Sequence, residues 1–305
     1  MDIYLPIAEM SVNIIGILSL GIVTGIVSGM FGVGGGFLST PFLIFIGVSP
    51  AIAVASSANQ IIASSVSGFL AHHRRGNIDF RMGTLLLIGG MVGSSAGVWL
   101  FSLLKQSGQI DLVISLLYVT LLGTIGITMG IDSVRSIRQV QDQPMSAPFV
   151  QRFRWPSRLP LMTDFPRSKL RLSAVLPISI GFLGGILVSL LGIGGGFVMI
   201  PAMIYLLGMP TSVVIGTSLF QVIFITANVT FLQAVTTHTV DIILAVLLVT
   251  GSVVGAQMGT RMGARMPAAN LRGMLSLIVL TIAFKLAYGL FSKPDDIYTI
   301  MTVGQ

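Results

Sequence analysis

Cysteine is absent from the 305 residues, which excludes disulfides, thiolate metal sites and cysteine nucleophiles. Charge is scarce as well. Asp, Glu, Lys and Arg make up 9% of the chain against 53% hydrophobic residues, where a soluble domain carries about 25% charged residues. That is too little polar surface to coat a globule in water, so the composition predicts an integral membrane protein. Only three histidines occur. The hydrophobic segments hold no paired carboxylates, His-rich cluster or activated nucleophile, which speaks against a membrane-embedded enzyme and against a cofactor. The net charge of +7 does not point to nucleic acid, because the basic residues gather between hydrophobic segments, as orientation signals do. The opening MDIYLPIAEM has no Lys or Arg. It therefore lacks the basic region of a signal peptide, and the first hydrophobic segment is expected to be retained.

What the chain does contain is a duplication. GVGGGF at Gly32–Phe37 returns as GIGGGF at Gly192–Phe197, an offset of 160 that Pro41 and Pro201 share. Gln60 and Gln221 differ by 161, and Asp79 and Asp241 by 162. The offset of 162 also aligns Gly89, Gly93 and Gly97 with Gly251, Gly255 and Gly259. Two small insertions account for the drift, so the chain reads as two related repeats. We place the first at residues 1–131, a basic linker at 132–172 and the second at 173–305.

Each repeat carries five hydrophobic segments, near 12–31, 36–48, 51–71, 81–103 and 111–130, then near 173–191, 196–208, 211–235, 241–260 and 272–291. A full span needs about 20 apolar residues. The second segment of each repeat is too short, and is predicted to be a half-helix entered through the glycine break and ended by Pro50 or Pro210.

Fourteen of the 17 basic residues fall in three places: Arg74, Arg75 and Arg81; the central loop; and Arg261, Arg265 and Arg272. The positive-inside rule predicts that all three face the cytoplasm. Equivalent loops then face opposite sides. The prediction is two inverted repeats of five segments, with an odd number of crossings each, both termini outside and the central loop cytoplasmic. In that loop, basic and aromatic residues alternate from Arg152 to Arg158, as in a tether to anionic headgroups. A regulatory or partner-binding element is the alternative.

Unwound backbone at membrane depth survives only where protein or a water-filled cavity satisfies it. A paired interruption is the best sequence pointer to a substrate site in a duplicated transporter. Gly34, Gly35, Gly36 and Gly194, Gly195, Gly196 are therefore candidate anion ligands, because glycine loops at helix N-termini offer bare N–H groups and partial positive charge. The alternative is close helix packing. The cluster is no nucleotide fingerprint, since it lacks the Lys-Ser/Thr of a P-loop and no strand precedes it.

A second candidate set is polar: Ser57, Asn59 and Gln60 in the third segment, and Thr217, Ser218 and Gln221 in the eighth. Hydroxyls and amides can hold a dehydrated anion loosely enough to release it. Interhelical hydrogen bonding is the alternative, and it is preferred for the scattered serines. His73, Arg74 and Arg75 are placed at the cytoplasmic mouth, where they could attract anions. Asp79 and Asp241 read as helix caps, Lys285 as a snorkelling side chain, and the two GxxxGxxxG rows as packing faces, either between repeats or in a homodimer.

The G-x-G-G-G-F break, the following proline, the (A/G)-(S/T)-S-x-x-Q element and the basic mouth with G-x-(I/V)-D, all repeated, resemble the sulfite exporter TauE/SafE family of membrane permeases. The resemblance covers nearly the whole chain outside the central loop. It implies export of a sulfur-containing or small organic anion, such as sulfite or an organosulfonate, across a bacterial inner membrane. The first copy reads ASSANQ and lacks the Gly-Thr-Ser of the second, so unequal contributions from the two halves are expected. The resulting expectation is an all-α secondary transporter working by alternating access, with a channel-like anion pathway or a non-transport assembly protein as alternatives.

Overall fold

The structure is a computed structural model that describes residues 2–31, 33–138, 161–168, 170–263, 266 and 268–291. The Arg152–Arg158 stretch, Gly32 and Arg265 lie outside the described residues. Each repeat opens with a small antiparallel hairpin. In the first, β1 (Asp2–Leu5) pairs with β2 (Met10–Asn13), Asp2 opposite Asn13. Five helices follow: α1 (Ile14–Phe31), α2 (Gly36–Phe45), α3 (Pro50–Arg74), α4 (Phe80–Gln106) and α5 (Ile110–Arg138). The second repeat runs β3 (Met162–Phe165), β4 (Leu170–Ser173), α6 (Val175–Leu191), α7 (Gly196–Pro201), α8 (Thr211–Thr236), α9 (Ile242–Gly263) and α10 (Ala268–Phe291). Its hairpin pairs Met162 with Ser173, the register of the first displaced by 160.

Among the described residues, six helices are long and apolar enough to cross a membrane, among them α1, α4, α8 and α9. The protein is an all-α, multi-pass membrane protein, and large apolar side chains such as Trp99, Phe231, Ile242 and Phe284 stand exposed around its outside. The second helix of each repeat is short, as expected: α2 has ten residues, and α7 has six followed by a π-helical turn, Ala202–Leu206. The prolines act differently from the sequence reading. Pro50 begins α3 and Pro210 caps α8; the half-helices stop earlier, at turns where Gly47 (φ 97°) and Gly208 (φ 74°) take left-handed conformations. Only glycine enters that region without strain.

The hairpins were not anticipated. Residues 162–165 and 170–172, read from sequence as part of the linker, belong to β3 and β4. Each hairpin buries one large side chain at the end of its first strand, Leu5 or Phe165. Each also feeds a helix start: the Asn13 Oδ1 accepts from the amides of Ile15 and Gly16, and the Ser173 hydroxyl oxygen accepts from that of Val175.

Contacts between α3 and α8 establish the inversion. The amide of Asp79, just beyond the C-terminus of α3, donates to the Thr217 hydroxyl near the start of α8 at 3.0 Å. The amide of Asp241, just beyond α8, donates to Ser56 near the start of α3 at 3.1 Å. Each helix ends where its counterpart begins, so equivalent helices run antiparallel about a pseudo-two-fold axis.

The repeats are also exchanged. α1 packs along α9, and α6 along α4. Helix backbones meet on the glycine rows: a Cβ at Gly93 would lie 2.0 Å from the Phe182 carbonyl oxygen, and one at Gly255 would lie 2.1 Å from that of Ile22. Gly89 and Gly97 meet Ile178 and Ile186, while Gly251 and Gly259 meet Leu18 and Ile26. These pairings advance together along both chains, so the partner helices are parallel. The glycine rows thus form the seam between repeats, settling the choice between seam and dimer face.

Candidate functional site

The two glycine loops meet at the pseudo-two-fold axis. Phe37 and Phe197, the first side chains after the breaks, stack with ring centroids 5.0 Å apart and planes 13° from parallel. Gly34 and Gly194 face each other, and a Cβ on Gly194 would come 3.1 Å from the Gly34 carbonyl oxygen. At Gly36 the approach is tighter still, 2.2 Å from the Gly192 carbonyl oxygen. Gly35 (φ 30°) and Gly195 (φ 68°) serve as the N-caps of α2 and α7. Part of the bare backbone foreseen from sequence is already engaged. The Gly36 amide turns back to the Gly34 carbonyl, as that of Gly196 does to Gly194, while Gly35 and Gly195 each accept two amides of the following turn. Downstream, Pro41 and Pro201 lie inside their helices. Neither can donate four residues back, so the carbonyls of Phe37 and Phe197 lose their intrahelical donors.

Several buried polar atoms of α3 and α8 have no hydrogen-bond partner among the described residues. Gln60 and Gln221 are both fully buried. The Gln60 Nε2 donates to the Thr24 hydroxyl at 2.5 Å, yet its Oε1 has no partner among the described residues. Gln221 has none for either amide atom. The hydroxyls of Ser57 and Ser65 and the Asn59 Nδ2 are also unpartnered. A Cβ on Gly35 would lie 3.3 Å from the Gln60 Nε2, and one on Gly34 would lie 3.6 Å from the Ser65 hydroxyl, so these side chains border the first loop. Buried polar groups are ordinarily hydrogen-bonded, and each exception needs an explanation.

Two sequence-predicted residues are engaged elsewhere. Thr217 accepts the Asp79 amide, and the Ser218 hydroxyl donates to the Ile215 carbonyl one turn back at 2.9 Å. Two residues were missed. Thr24 is the partner of Gln60; its equivalent is Gly184, where the Met199 side chain fills the space, and that difference leaves Gln221 unpaired. Tyr118, fully buried, donates its hydroxyl to the Leu191 carbonyl at 2.6 Å and so anchors the second loop. No repeat or motif marks Tyr118; only the fold brings it to the break.

At one end of the molecule, His73 stacks on Phe69 and meets Phe80 edge-on. It borders a cleft of about 370 Å³ that also holds Asp79, Arg81 and Arg167. Arg74 and Arg75 line a separate cleft with Arg261, so the three residues assigned to one mouth divide between two. Asp79 caps α4, accepting from the Met82 amide at 3.1 Å. Asp241 does the same for α9 through Leu244. Lys285 lies 4.2 Å from the centre of the Phe45 ring, a cation–π contact.

The family described as sulfite exporter TauE/SafE matches residues 17–286. The probable membrane transporter protein YunE of Bacillus subtilis is 25% identical over 285 residues, 90% of this chain and 97% of that protein. The probable membrane transporter protein YjnA of the same organism is 29% identical over 275 residues, covering 89% and 99%. A probable membrane transporter protein of Xylella fastidiosa is 28% identical over 204 residues, covering 66% and 67%. No solved structure matches the chain significantly. With the repeated glycine breaks at the centre of an inverted helical fold and a family match over most of its length, the chain belongs to the sulfite exporter TauE/SafE family of membrane transporters.

Proposed function

We propose that the protein is a secondary transporter of a small oxyanion, sulfite or an organosulfonate, working outward across a bacterial inner membrane by alternating access. The observation that carries this reading is the pair of equivalent, fully buried glutamines: Gln60, beside the first glycine loop, has no partner for its Oε1, and Gln221 has none for either amide atom among the described residues. Stranding a buried polar group costs roughly 1–3 kcal/mol. The arrangement is costly without a ligand and is relieved by one. The Nε2 groups of Gln60 and Gln221, the Asn59 Nδ2 and the hydroxyls of Ser57 and Ser65 would donate to the oxygens of a dehydrated anion, with the N-terminal ends of α2 and α7 adding partial positive charge. No covalent step is required.

The exchange of helices redefines the moving bodies. Because α1 and α3 pack on α9 while α6 and α8 pack on α4, rocking would occur between these two mixed bundles and not between the sequence halves. Both bundles reach the axis at the Phe37–Phe197 stack, where a small rotation would open the loops to one side and close them to the other. With the basic loops in the cytoplasm, an inside-negative potential favours anion export by about 2.3 kcal/mol per charge per 100 mV. A coupled ion is therefore not needed to drive it.

The test is ligand-dependent thermal stabilisation of the purified protein with sulfite, sulfate, sulfoacetate and taurine, followed by counterflow in proteoliposomes for whichever anion stabilises it. Saturable counterflow that is lost in Gln221→Leu supports the carrier. Flux without counterflow would instead identify a channel-like pathway.

A further inference from the structure

The cleft that takes Arg74 and Arg75 is distinct from the loops at the axis and is built from two helix ends. It has a volume of about 370 Å³ and is lined by Ser67, Leu70, Arg74 and Arg75 of α3 and its C-cap, and by Gln257, Thr260 and Arg261 of α9. No acidic residue lines it, and the only ion pair among the described residues, Arg171 with Asp164, lies elsewhere. Three guanidinium groups thus converge on one hollow without a carboxylate. Arginine forks match the geometry of phosphate oxygens.

The internal symmetry provides a control. The same corner is built at the opposite end of the molecule from α8 and α4. There the positions of Arg74, Arg75 and Arg261 are held by Val235, Thr236 and Trp99, and those of Ser67 and Gln257 by Asn228 and Ser95. The Asn228 Nδ2 donates to the Ser94 and Ser95 hydroxyls at 2.9 and 3.2 Å, tying the two helices together, and Trp99 is exposed as an interfacial aromatic would be. The fold therefore stands at this corner without arginine. The three arginines are a feature of one membrane face.

The surface leading to the cleft is apolar. Val66 and Leu70 on α3 and Val254, Met258 and Met262 on α9 are exposed large side chains, and the two helices pack side by side. A basic hollow at the polar end of an apolar strip matches an amphiphile with a phosphate head and an acyl tail, and fits a free inorganic anion less well. We infer that the cleft between the ends of α3 and α9 is a binding site for an anionic glycerophospholipid, its phosphate held by Arg74, Arg75 and Arg261 and an acyl chain lying along Val66, Leu70 and Met258. Occupancy would bridge two helices of one moving bundle.

The experiment uses the full chain in neutral detergent. Thermal stability and native mass spectrometry are measured with added phosphatidylglycerol, phosphatidylcholine or inorganic phosphate, in the wild type and in an Arg74→Gln, Arg75→Gln, Arg261→Gln triple variant. Phosphatidylglycerol is expected to bind and stabilise the wild type, phosphatidylcholine much less, with affinity falling about fivefold for each arginine removed. Arg171→Gln, outside the cleft, should bind as wild type does. Equal response to the two lipids, or undiminished phosphatidylglycerol binding in the triple variant, overturns the proposal. So does full protection by inorganic phosphate alone, which would make this a free-anion site. If the triple variant does not fold, Arg261→Gln alone carries the test, with recovery expected in Arg261→Lys. The readout is binding, so it stands whether or not the anion-transport reading survives.

Discussion

Asp79 of the first repeat is bonded to Ser168 of the second, receiving the serine hydroxyl at 2.6 Å and its amide at 3.1 Å on the same carboxylate oxygen. The inverted copy of this contact joins Asp241 to the tip of the first hairpin, through the amides of Ile7 and Ala8 at 3.0 and 3.4 Å. Each aspartate uses its other oxygen to cap its own helix. One buried carboxylate thus fixes a helix start and holds the hairpin of the opposite repeat.

This arrangement makes the two aspartates equivalent in stability. Asp79→Ala strands the Ser168 donors and the Met82 amide, and Asp241→Ala strands those of Ile7, Ala8 and Leu244. Each strands three donors and is expected to lower stability by at least about 3 kcal/mol, at roughly 1–3 kcal/mol for each stranded group. Asp79→Asn keeps an oxygen for the cap but turns a donor toward Ser168, so its loss should be smaller. Thermal unfolding in a lipid nanodisc reads all three. An unchanged midpoint in both alanine variants would remove the hairpin latch.

Much of this was legible because the duplication gave each feature a partner. The glycine breaks, the glycine rows and the Asp79–Asp241 equivalence follow from offsets of 160 to 162, and the asymmetric basic loops pointed to inversion. The hairpins were not legible: strands of four residues carry too little alternation, and Asp2–Leu5 reads as the approach to a span. The exchange of α1 and α6 was hidden for a different reason. A row of glycines announces that a backbone will come close, but not which backbone. Thr24 was invisible because its role arises only when α1 crosses α3, at a position where the repeat has Gly184.

The Thr24–Gly184 difference separates the two glutamines. Replacing Gln221 by Leu removes two unpartnered polar atoms at similar volume, so the unliganded protein should become more stable, by roughly 1–2 kcal/mol. Gln60→Leu also surrenders the bond to Thr24, and should gain less or lose. Anion stabilisation should disappear in both. If Gln221→Leu instead destabilises the protein and leaves transport intact, the amide is a packing element bonded within the helical bundle.

The glycine loops should tolerate no side chain. Gly36→Ala places a methyl group against the Gly192 carbonyl and Ile61, and Gly196→Ala against the Val33 carbonyl. Overpacking of this kind costs typically 1–3 kcal/mol, and here it forces the two loops apart at the axis. Flux is expected to fall at least tenfold, with normal membrane insertion. Gly123→Ala is the control, since nothing lies within 4 Å of its Cβ. Wild-type flux in both loop variants would show that the loop contact is dispensable.

The orientation can be tested without background, because the chain has no cysteine of its own. Gly76 and His238 occupy equivalent turns, both with positive φ (70° and 49°), at the C-terminal ends of the antiparallel helices α3 and α8. They must therefore lie at opposite ends of the molecule. Arg75→Cys, next to the first turn, and His238→Cys, in the second, are both exposed positions. In right-side-out cells a membrane-impermeant maleimide should label His238→Cys and reach Arg75→Cys only after the membrane is permeabilised, since the positive-inside rule assigns the arginine-rich end to the cytoplasm. The reverse pattern would invert the transporter in the membrane and leave the fold unchanged. Labelling of both from one side would contradict the antiparallel relation of α3 and α8 itself, and with it the placement of the two glycine loops on a common axis.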